Sequence, residues 1–293
     1  MRANALQTAP AQVRPLGLRG VWRQIRQRPM LWAGGLILLW FSLCIVFAPI
    51  IATHDPNAVD TRREARNQPP SAAHWFGTDE LGRDVFSRVV YGARVSIPAA
   101  VAVVAAVFLI GTTLGAVAGY FEGWLGALIM RVADVTMAFP GLVLALAIAA
   151  ILGPSLTNML IAACVVLWPV YARLMRAQVL TLRSQEFVLA ARAQGMHELR
   201  VLWRHVVPNA LTPVLITAAL DIGSILLLLA ALSFFGLGVD INTPEWGAMV
   251  AAGQRKFLYW WLAAFPGLAI FLVILGVNLV VEGLRSWLDP RSR

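Results

Sequence analysis

Long apolar runs are the feature that most constrains how this chain can fold. Each run has about the 20 residues that an α-helix needs to cross the hydrocarbon core of a bilayer. Backbone polar groups cannot stay unpaired in hydrocarbon, and a helix satisfies them within its own segment. We therefore predict an all-α polytopic membrane protein. Its six transmembrane helices are expected near residues 30–52, 97–119, 127–152, 155–175, 211–235 and 259–284.

The composition agrees with this prediction and excludes several functions. Apolar residues make up 59% of the chain and charged residues 13%, as in membrane proteins rather than soluble domains. Lys256 is the only lysine, and it stands between Arg255 and Phe257. A P-loop needs Gly-Lys-Ser or Gly-Lys-Thr, so the chain carries no P-loop ATPase of its own. The net charge of +9 comes from arginines at the ends of apolar runs, which favours a role in topology over nucleic-acid binding.

The distribution of basic residues predicts which side of the membrane each loop occupies. Six spans place both termini on one side, and that side holds 16 of the 24 basic residues. Because cytoplasmic segments are enriched in arginine and lysine, we predict an N-in/C-in topology. The cytoplasmic tails are then 1–29 and 286–293, and 53–94 is an extracytoplasmic loop. The first run exceeds the apolar core of about 7–15 residues in a cleaved signal peptide, which favours a retained helix at 30–52.

The extracytoplasmic loop is predicted to contain an amphipathic helix near its end. Thr78 can cap the N-terminus of this helix, with Asp79 and Glu80 in the first turn, where acids interact favourably with the helix dipole. The ion pairs expected at i,i+4 spacing are Asp79–Arg83 and Asp84–Arg88. The residues alone favour a helix on the membrane surface, and contact with a partner protein is the alternative.

The predicted five-helix core at 95–285 holds two features that bear on packing and transport. Small residues at intervals of four predict a face where another helix approaches closely, in this chain or in a second subunit. They are Gly111, Gly115 and Gly119. Asp221 is expected about 15 Å deep, at about 1.5 Å per residue. An acid at that depth faces a cavity or a partner by default, and the sequence leaves open whether Asp221 serves transport or only hydrogen-bonds a neighbouring helix.

Other expectations concern the third span and the possible catalytic or metal sites. Pro140-Gly141 is predicted to kink the third helix, and Arg131 can pair with Asp134 one turn away. The histidines do not stand at metal-ligand spacing, so no metal site is predicted; they are His54, His74, His197 and His205. A paired His/Glu zinc motif and Gly-x-Ser-x-Gly are both missing, which argues against an intramembrane enzyme.

A polar segment interrupts the apolar second half of the chain. It runs from Glu186 to Pro208 and reads EFVLAARAQGMHELRVLWRHVVP. We predict two short helices joined at Gly195, because a glycine can end a helix or let another backbone come close. The second helix is expected to present one apolar face and to end at Pro208. That face is predicted from residues spaced by three, four and three: Met196, Leu199, Trp203 and Val206.

This segment resembles the EAA loop of ABC-importer permeases. That loop has Glu-Ala-Ala, a glycine, and Leu-Pro about a dozen residues later. Four residues match its spacing: Ala190, Ala191, Gly195 and Pro208. Leu189 and Val207 replace the glutamate and the leucine, although Glu186 lies one turn earlier. Further motifs, GTDELGRDVFSRVVYGARVS, SFFGLGV and GLRSWLDPR, extend the resemblance over residues 20–293 to the second permease of the dipeptide, oligopeptide and nickel group.

The resemblance implies a type I ABC-importer permease in the bacterial inner membrane. A homologous second permease would complete a heterodimer, and two cytoplasmic ATPase subunits would bind ATP and Mg, so this chain needs no cofactor. The segment 180–208 would couple to the ATPase through Glu186, Ala190, Ala191, Arg192, Gly195, Met196, Leu199 and Pro208. An extracytoplasmic substrate-binding protein would contact the outer mouth at Asp79, Arg83, Asp84, Glu245 and Trp246.

The substrate implied by the resemblance is a peptide or a peptide-like solute, with nickel chelates or glutathione as alternatives. A stand-alone secondary transporter or channel is the competing class. It would need a relay of charges inside the membrane, whereas the spans offer Asp221, with Arg131, Asp134 and Glu282 near their ends. The internal repeat expected of such a transporter is not seen in the sequence.

Overall fold

The computed structural model describes residues 29–121, 123–240, 242–256 and 258–288. Within these ranges the regular secondary structure is helical, with a 3₁₀ turn at Arg63–Ala65. The helices are α1 (Pro29–Ile51), α2 (Val85–Tyr120), α3 (Trp124–Met137), α4 (Gly141–Leu152), α5 (Leu156–Leu182), α6 (Glu186–Ala193), α7 (Glu198–Val201), α8 (Val207–Phe234), α9 (Trp246–Gln254) and α10 (Trp261–Leu288). The predicted tail at 1–29 lies outside the described residues apart from Pro29, and so does most of the tail at 286–293.

Among the described residues, five helices are long and apolar enough to cross a membrane, and a bent pair supplies a sixth span. The five are α1, α2, α5, α10 and the helix that runs from α7 through α8. The bent pair is α3 and α4, which meet at 92°. The predicted kink is therefore a break, because Pro140 is the N-cap of α4 and cannot donate a backbone hydrogen bond that would continue α3. The all-α fold with six spans is confirmed, with the third span broken.

Helix α2 packs against α5 more extensively than any other described pair of helices. Its glycines make this approach possible. A Cβ atom at Gly111 would lie 2.7 Å from the Trp168 carbonyl oxygen, and one at Gly115 would overlap the carbonyl group of Ala172. Gly119 faces α5 in the same way. The predicted small-residue face is thus used inside the chain.

Apolar side chains on the outer sides of the spans are solvent-exposed in the isolated chain. Ile50, Leu109 and Ile151 are 80%, 63% and 85% exposed. Soluble proteins rarely expose so much apolar surface to water, whereas lipid hydrocarbon or other membrane helices can cover it without a free-energy cost. These surfaces therefore agree with a chain that is embedded in a bilayer.

Helix α2 starts six residues later than the helix predicted here, and it is continuous with the second span. It begins at Val85, and the Asp84 carboxylate caps it by accepting a hydrogen bond from the Ser87 N–H at 2.8 Å. The prediction that Thr78 caps a helix here is therefore wrong. A helix lying on the membrane surface is also wrong, because the first turns of α2 are packed inside the protein. The buried residues are Val85, Phe86, Ser87, Arg88, Val89 and Val90.

A tight turn precedes α2 in place of the predicted helix. The Asp79 carboxylate accepts hydrogen bonds from the N–H groups of Leu81 and Arg83, both at 2.9 Å. Gly82 has a φ of +72°, which glycine adopts readily. An aspartate that bonds the backbone two residues later favours a turn over a helix. The predicted Asp79–Arg83 ion pair is present, with Nε 2.7 Å from Oδ2, but it lies within this turn.

The acids of two other predicted ion pairs have partners other than the arginine at helical spacing. Asp134 of α3 pairs with Arg173 of α5, with 2.8 Å between Nη2 and Oδ1, rather than with the arginine one turn earlier in α3. The carboxylate of Asp84 lies against His74, with 2.9 Å between Nδ1 and Oδ1. In both places the tertiary packing determines the partner. The spacing of residues in the sequence cannot predict such packing.

Candidate functional site

The two short helices joined at Gly195 are present as predicted, and we call residues 180–208 the coupling segment. Gly195 N–H donates to the Arg192 carbonyl at 2.9 Å, and Met196 N–H donates to the Ala191 carbonyl at 3.3 Å. These two bonds close the C-terminus of α6 around a glycine with a φ of +78°. A Cβ atom at Gly195 would meet no atom within 4 Å. The left-handed backbone therefore favours glycine, and the space around Gly195 is open within this chain.

A cluster of three side chains fixes the angle between the coupling helices and α2. The hydroxyl of Tyr120, at the end of α2, donates to the Glu198 carboxylate. Arg192 Nε lies 3.4 Å from that hydroxyl and 3.2 Å from Glu198 Oε2, with its guanidinium 5.1 Å from the centre of the Tyr120 ring. The hydrogen bond to Tyr120 raises the pKa of Arg192, so the arginine stays charged. One arginine thus joins α6, α7 and α2.

Helix α7 does not end at Pro208, so that part of the sequence interpretation is wrong. A π-helical turn at Leu202–Val206 carries α7 directly into α8. The Val207 N–H donates to the Leu202 carbonyl, five residues earlier. Pro208 falls in the first turn of α8. The wider turn accommodates the proline ring and its missing N–H, so the helix continues where a regular α-helix would stop.

The side chains of α6 are divided between the membrane bundle and the outside. Val188 and Ala191 are buried, and Glu186 and Ala190 are exposed. Four apolar side chains on α6, α7 and the π turn are between 41% and 51% exposed, and we call them the docking surface. They are Phe187, Leu189, Leu199 and Trp203. Sequence reasoning missed Phe187 and Leu189; the available signal was an apolar pair on a helix outside the spans.

The predicted apolar face of the second short helix is only partly correct. Leu199 and Trp203 are both exposed, whereas Val206 is fully buried. Met196 precedes α7, because His197 is the N-cap of that helix. The π turn has more residues per turn than an α-helix, so it moves Val206 away from the face that Leu199 and Trp203 share.

At the opposite end of the bundle, Glu245 ties α9 to α2. Its carboxylate caps α9 by accepting hydrogen bonds from the N–H groups of Gly247 and Ala248, both at 2.8 Å. The hydroxyl of Ser96, on α2, also donates to it at 3.3 Å. Burial raises the pKa of Glu245, against the effect of these hydrogen bonds. Glu245 is therefore an internal cap with a structural role.

Trp246 completes this connection from inside the protein. Its indole N–H donates to the Val89 carbonyl at 2.9 Å, and its backbone N–H donates to the Ser96 hydroxyl at 3.1 Å. A Cβ atom at Gly92 would lie 2.5 Å from the indole ring. The ring thus fills a space on α2 that only a glycine leaves free.

Most of the residues predicted to contact a substrate-binding protein are buried. Four of its five residues have at most 4% of their surface exposed: Arg83, Asp84, Glu245 and Trp246. A side chain without exposed surface cannot contact a binding protein, so the prediction is wrong for these four in this conformation. Asp79 remains partly exposed. Exposed side chains at this end include Trp75 and Trp260. The Glu80–Lys256 ion pair, at 2.9 Å, is partly exposed there.

Asp221 lies at the middle of α8, where it both hydrogen-bonds a neighbouring helix and faces a cavity, the two alternatives that the sequence left open. The Tyr171 hydroxyl, on α5, donates to its Oδ2 at 2.9 Å, so a hydrogen bond to a neighbouring helix is confirmed. A cavity of about 270 Å³ also opens beside the carboxylate. Its other walls are largely apolar and include Gly141 and Leu142, at the break between α3 and α4. The acid therefore faces a space inside the membrane region.

Comparison with known proteins identifies the family to which this fold belongs. Residues 111–293 match the family model described as binding-protein-dependent transport system inner membrane component. The chain belongs to this family. Residues 18–70 of this transport component also match the N-terminal TM domain of oligopeptide transport permease C. The resemblance to a permease with the type I fold is thereby confirmed, and the protein resides in the inner membrane.

Several curated relatives of this transport component are similar over almost their whole length. The dipeptide transport system permease protein DppC of Alkalihalophilus pseudofirmus is 43% identical over 94% of the chain and 90% of the relative. The probable D,D-dipeptide transport system permease protein DdpC of Escherichia coli is 45% identical over 96% and 94%. The glutathione transport system permease protein GsiD of Pectobacterium atrosepticum is 39% identical over 94% and 91%.

Proposed function

We propose that this protein is the permease subunit of an ATP-driven importer for dipeptides or similarly short peptides, and that it forms half of the translocation pathway. The observation that carries this proposal is the end-to-end similarity to permeases named for dipeptides. The coupling segment and the cavity beside Asp221 supply the two parts that such a subunit needs, a contact for the energy source and a polar group in the path.

The docking surface is the proposed contact for a cytoplasmic ATPase subunit. Its four side chains are apolar and half exposed outside the spans, and burying apolar area contributes about 25 cal/mol per Å². Ala190 and Gly195 leave room for a close approach, and exposed Glu186 offers a negative charge to a basic partner residue. ATP and Mg would be bound by the ATPase, because this chain has no Gly-Lys-Ser/Thr sequence for a P-loop.

Two further partners complete the proposed importer. A homologous permease would pair with this chain as a heterodimer and cover part of the bare apolar surface of its spans. An extracytoplasmic binding protein would deliver the peptide at the end of the bundle that carries Trp75, Trp260 and the Glu80–Lys256 pair. Alternation between inward-open and outward-open arrangements would then carry the peptide across.

Loss of peptide uptake is the direct test of this function. A strain that lacks this chain should lose uptake of a labelled dipeptide to background, and the wild-type chain should restore it. Unlabelled dipeptide should compete with the label in the restored strain. If dipeptide uptake persists without the chain and glutathione uptake is lost, the substrate assignment is overturned in favour of glutathione, which the name of GsiD supports.

Asp221→Asn should lower dipeptide uptake about tenfold while leaving the chain inserted and assembled. Asparagine keeps the size and an acceptor for Tyr171 but removes the charge that faces the cavity. A tenfold effect corresponds to about 1.4 kcal/mol, which is modest for a charge inside the membrane. Tyr171→Phe is the matched control, because it removes only the hydrogen bond. Equal uptake by wild type and Asp221→Asn would leave the acid with a packing role alone.

A further inference from the structure

Three potential metal ligands meet at the end of the bundle opposite the coupling segment. They are His54, just after α1, His74 in the loop, and Asp84 at the start of α2, and one ligand atom from each lies within 4.8 Å of the others. Sequence spacing did not indicate this group, because the residues are 20 and 10 positions apart across a loop without periodic structure. Only the turn that ends in α2 brings them together.

The distances suit a tetrahedral transition-metal ion. His74 Nδ1 lies 2.9 Å from Asp84 Oδ1, and His54 Nδ1 lies 3.8 Å from the same oxygen. A zinc ion with bonds of about 2.0–2.2 Å sets its ligand atoms about 3.3–3.5 Å apart. The two observed distances lie on either side of that value. Small rotations of two histidine rings, whose centres are 4.7 Å apart, would bring both nitrogens into range.

The carboxylate in this group is already held in place by its neighbours. Asp84 is 1% exposed at its side chain, and its Oδ2 accepts hydrogen bonds from the Ser87 N–H at 2.8 Å and from the Ser87 hydroxyl at 2.7 Å. Oδ1 is the oxygen turned towards both histidines. Hydrogen bonds that orient a ligating carboxylate in this way strengthen metal sites.

We propose that His54, His74 and Asp84 form a binding site for Zn²⁺ or a similar divalent transition-metal ion. Two imidazoles and one carboxylate favour such ions over Mg²⁺ and Ca²⁺, which prefer oxygen ligands. The His54 side chain is 43% exposed, which leaves the fourth coordination position open to water. Binding through Nδ1 would replace the hydrogen bond between His74 and Asp84 with a bond from each of them to the ion.

Such an ion would join three segments that the polypeptide connects only through a long loop. It would fix the end of α1 and the middle of the loop to the start of α2, the helix that also holds α9 through Trp246. The bound ion stabilises the folded outer end, because the unfolded chain does not bring the three ligands together. The proposal does not depend on which solute the transporter carries.

The test measures Zn²⁺ binding to the full chain in lipid nanodiscs after removal of any polyhistidine tag. Competition with a fluorescent chelator should show one site in the wild type, and His54→Ala should weaken it at least about tenfold. The His54 imidazole is 43% exposed, and its removal leaves the hydrogen bond from the His54 backbone N–H to the Ser87 hydroxyl in place. His197→Ala, at an exposed histidine of the coupling segment, is the matched control and should bind Zn²⁺ like the wild type.

Thermal unfolding gives a second readout of the same site. Zn²⁺ should raise the unfolding midpoint of the wild type and of His197→Ala, and it should leave the midpoint of His54→Ala unchanged. Mg²⁺ should have no effect on any of them. The proposal is overturned if the wild type binds no Zn²⁺ in the competition assay, or if His54→Ala binds it as tightly as the wild type does.

Discussion

Gly195→Trp should reduce ATP-driven uptake at least about 100-fold and leave a folded permease in the membrane. Within the chain a Cβ atom at this position meets nothing within 4 Å, so the indole fits the isolated subunit. In the assembled transporter it would stand between the docking surface and the ATPase. A 100-fold loss corresponds to about 2.7 kcal/mol. The left-handed φ of +78° adds about 1–2 kcal/mol of local strain for a non-glycine residue.

Gly195→Asn distinguishes the effect of side-chain size from the effect of backbone strain at this position. Asparagine tolerates the left-handed region better than other residues that carry a Cβ, and its side chain is small. We expect uptake close to wild type for Gly195→Asn. Membrane content, co-purification of the ATPase and uptake should be measured for both variants. Wild-type uptake by Gly195→Trp, or an equal loss in the two variants, would contradict a docking role for this surface.

Gly115→Leu should prevent α2 and α5 from packing and should remove most of the folded chain from the membrane. The first added atom would already overlap the carbonyl group of Ala172, and this neighbour is helix backbone, which cannot rotate away. Forcing the helices apart would also separate Gly111 and Gly119 from α5. Because close packing replaces hydrophobic burial as a source of association between membrane helices, we expect a loss of several kcal/mol, as for severe overpacking.

The same substitution at Gly35 is the control for this prediction. Gly35 lies in the α1 span, and a Cβ there would meet no atom within 4 Å. Gly35→Leu should therefore keep the wild-type amount of folded protein in detergent, measured by size-exclusion chromatography and resistance to proteolysis. If Gly115→Leu behaves like Gly35→Leu, the close contact between α2 and α5 is not required for folding.

The spans and the glycines were predictable because their signals are local. A run of apolar residues is enough to indicate a membrane helix. Glycines spaced four residues apart indicate a face for close packing. Gly195 was identified in the same way, between two helical patterns. The sequence also indicated the break near Pro140, although it predicted a kink where the structure has a 92° bend.

The outer end was harder to predict because its contacts join residues far apart in the chain. Glu245 and Trp246 were predicted to contact a binding protein, but contacts with Ser96 and Val89 of α2 bury them. Asp79 stands at a spacing that suits a helix, yet its side chain bonds the nearby backbone and forms a turn. On the coupling segment, periodicity could not show which apolar residues lack a partner, since the π turn changes the face.

The continuous helix from Glu198 to Phe234 makes the second half of the coupling segment and one wall of the cavity parts of a single lever arm. Asp221 stands 23 residues from Glu198, or about 35 Å at 1.5 Å per residue. A tilt of about 10° over that length displaces the acid by about 6 Å, slightly more than the 4.7–4.9 Å that separates neighbouring extended chains. A small rotation at the proposed ATPase contact would therefore move this wall by about the width of a peptide backbone.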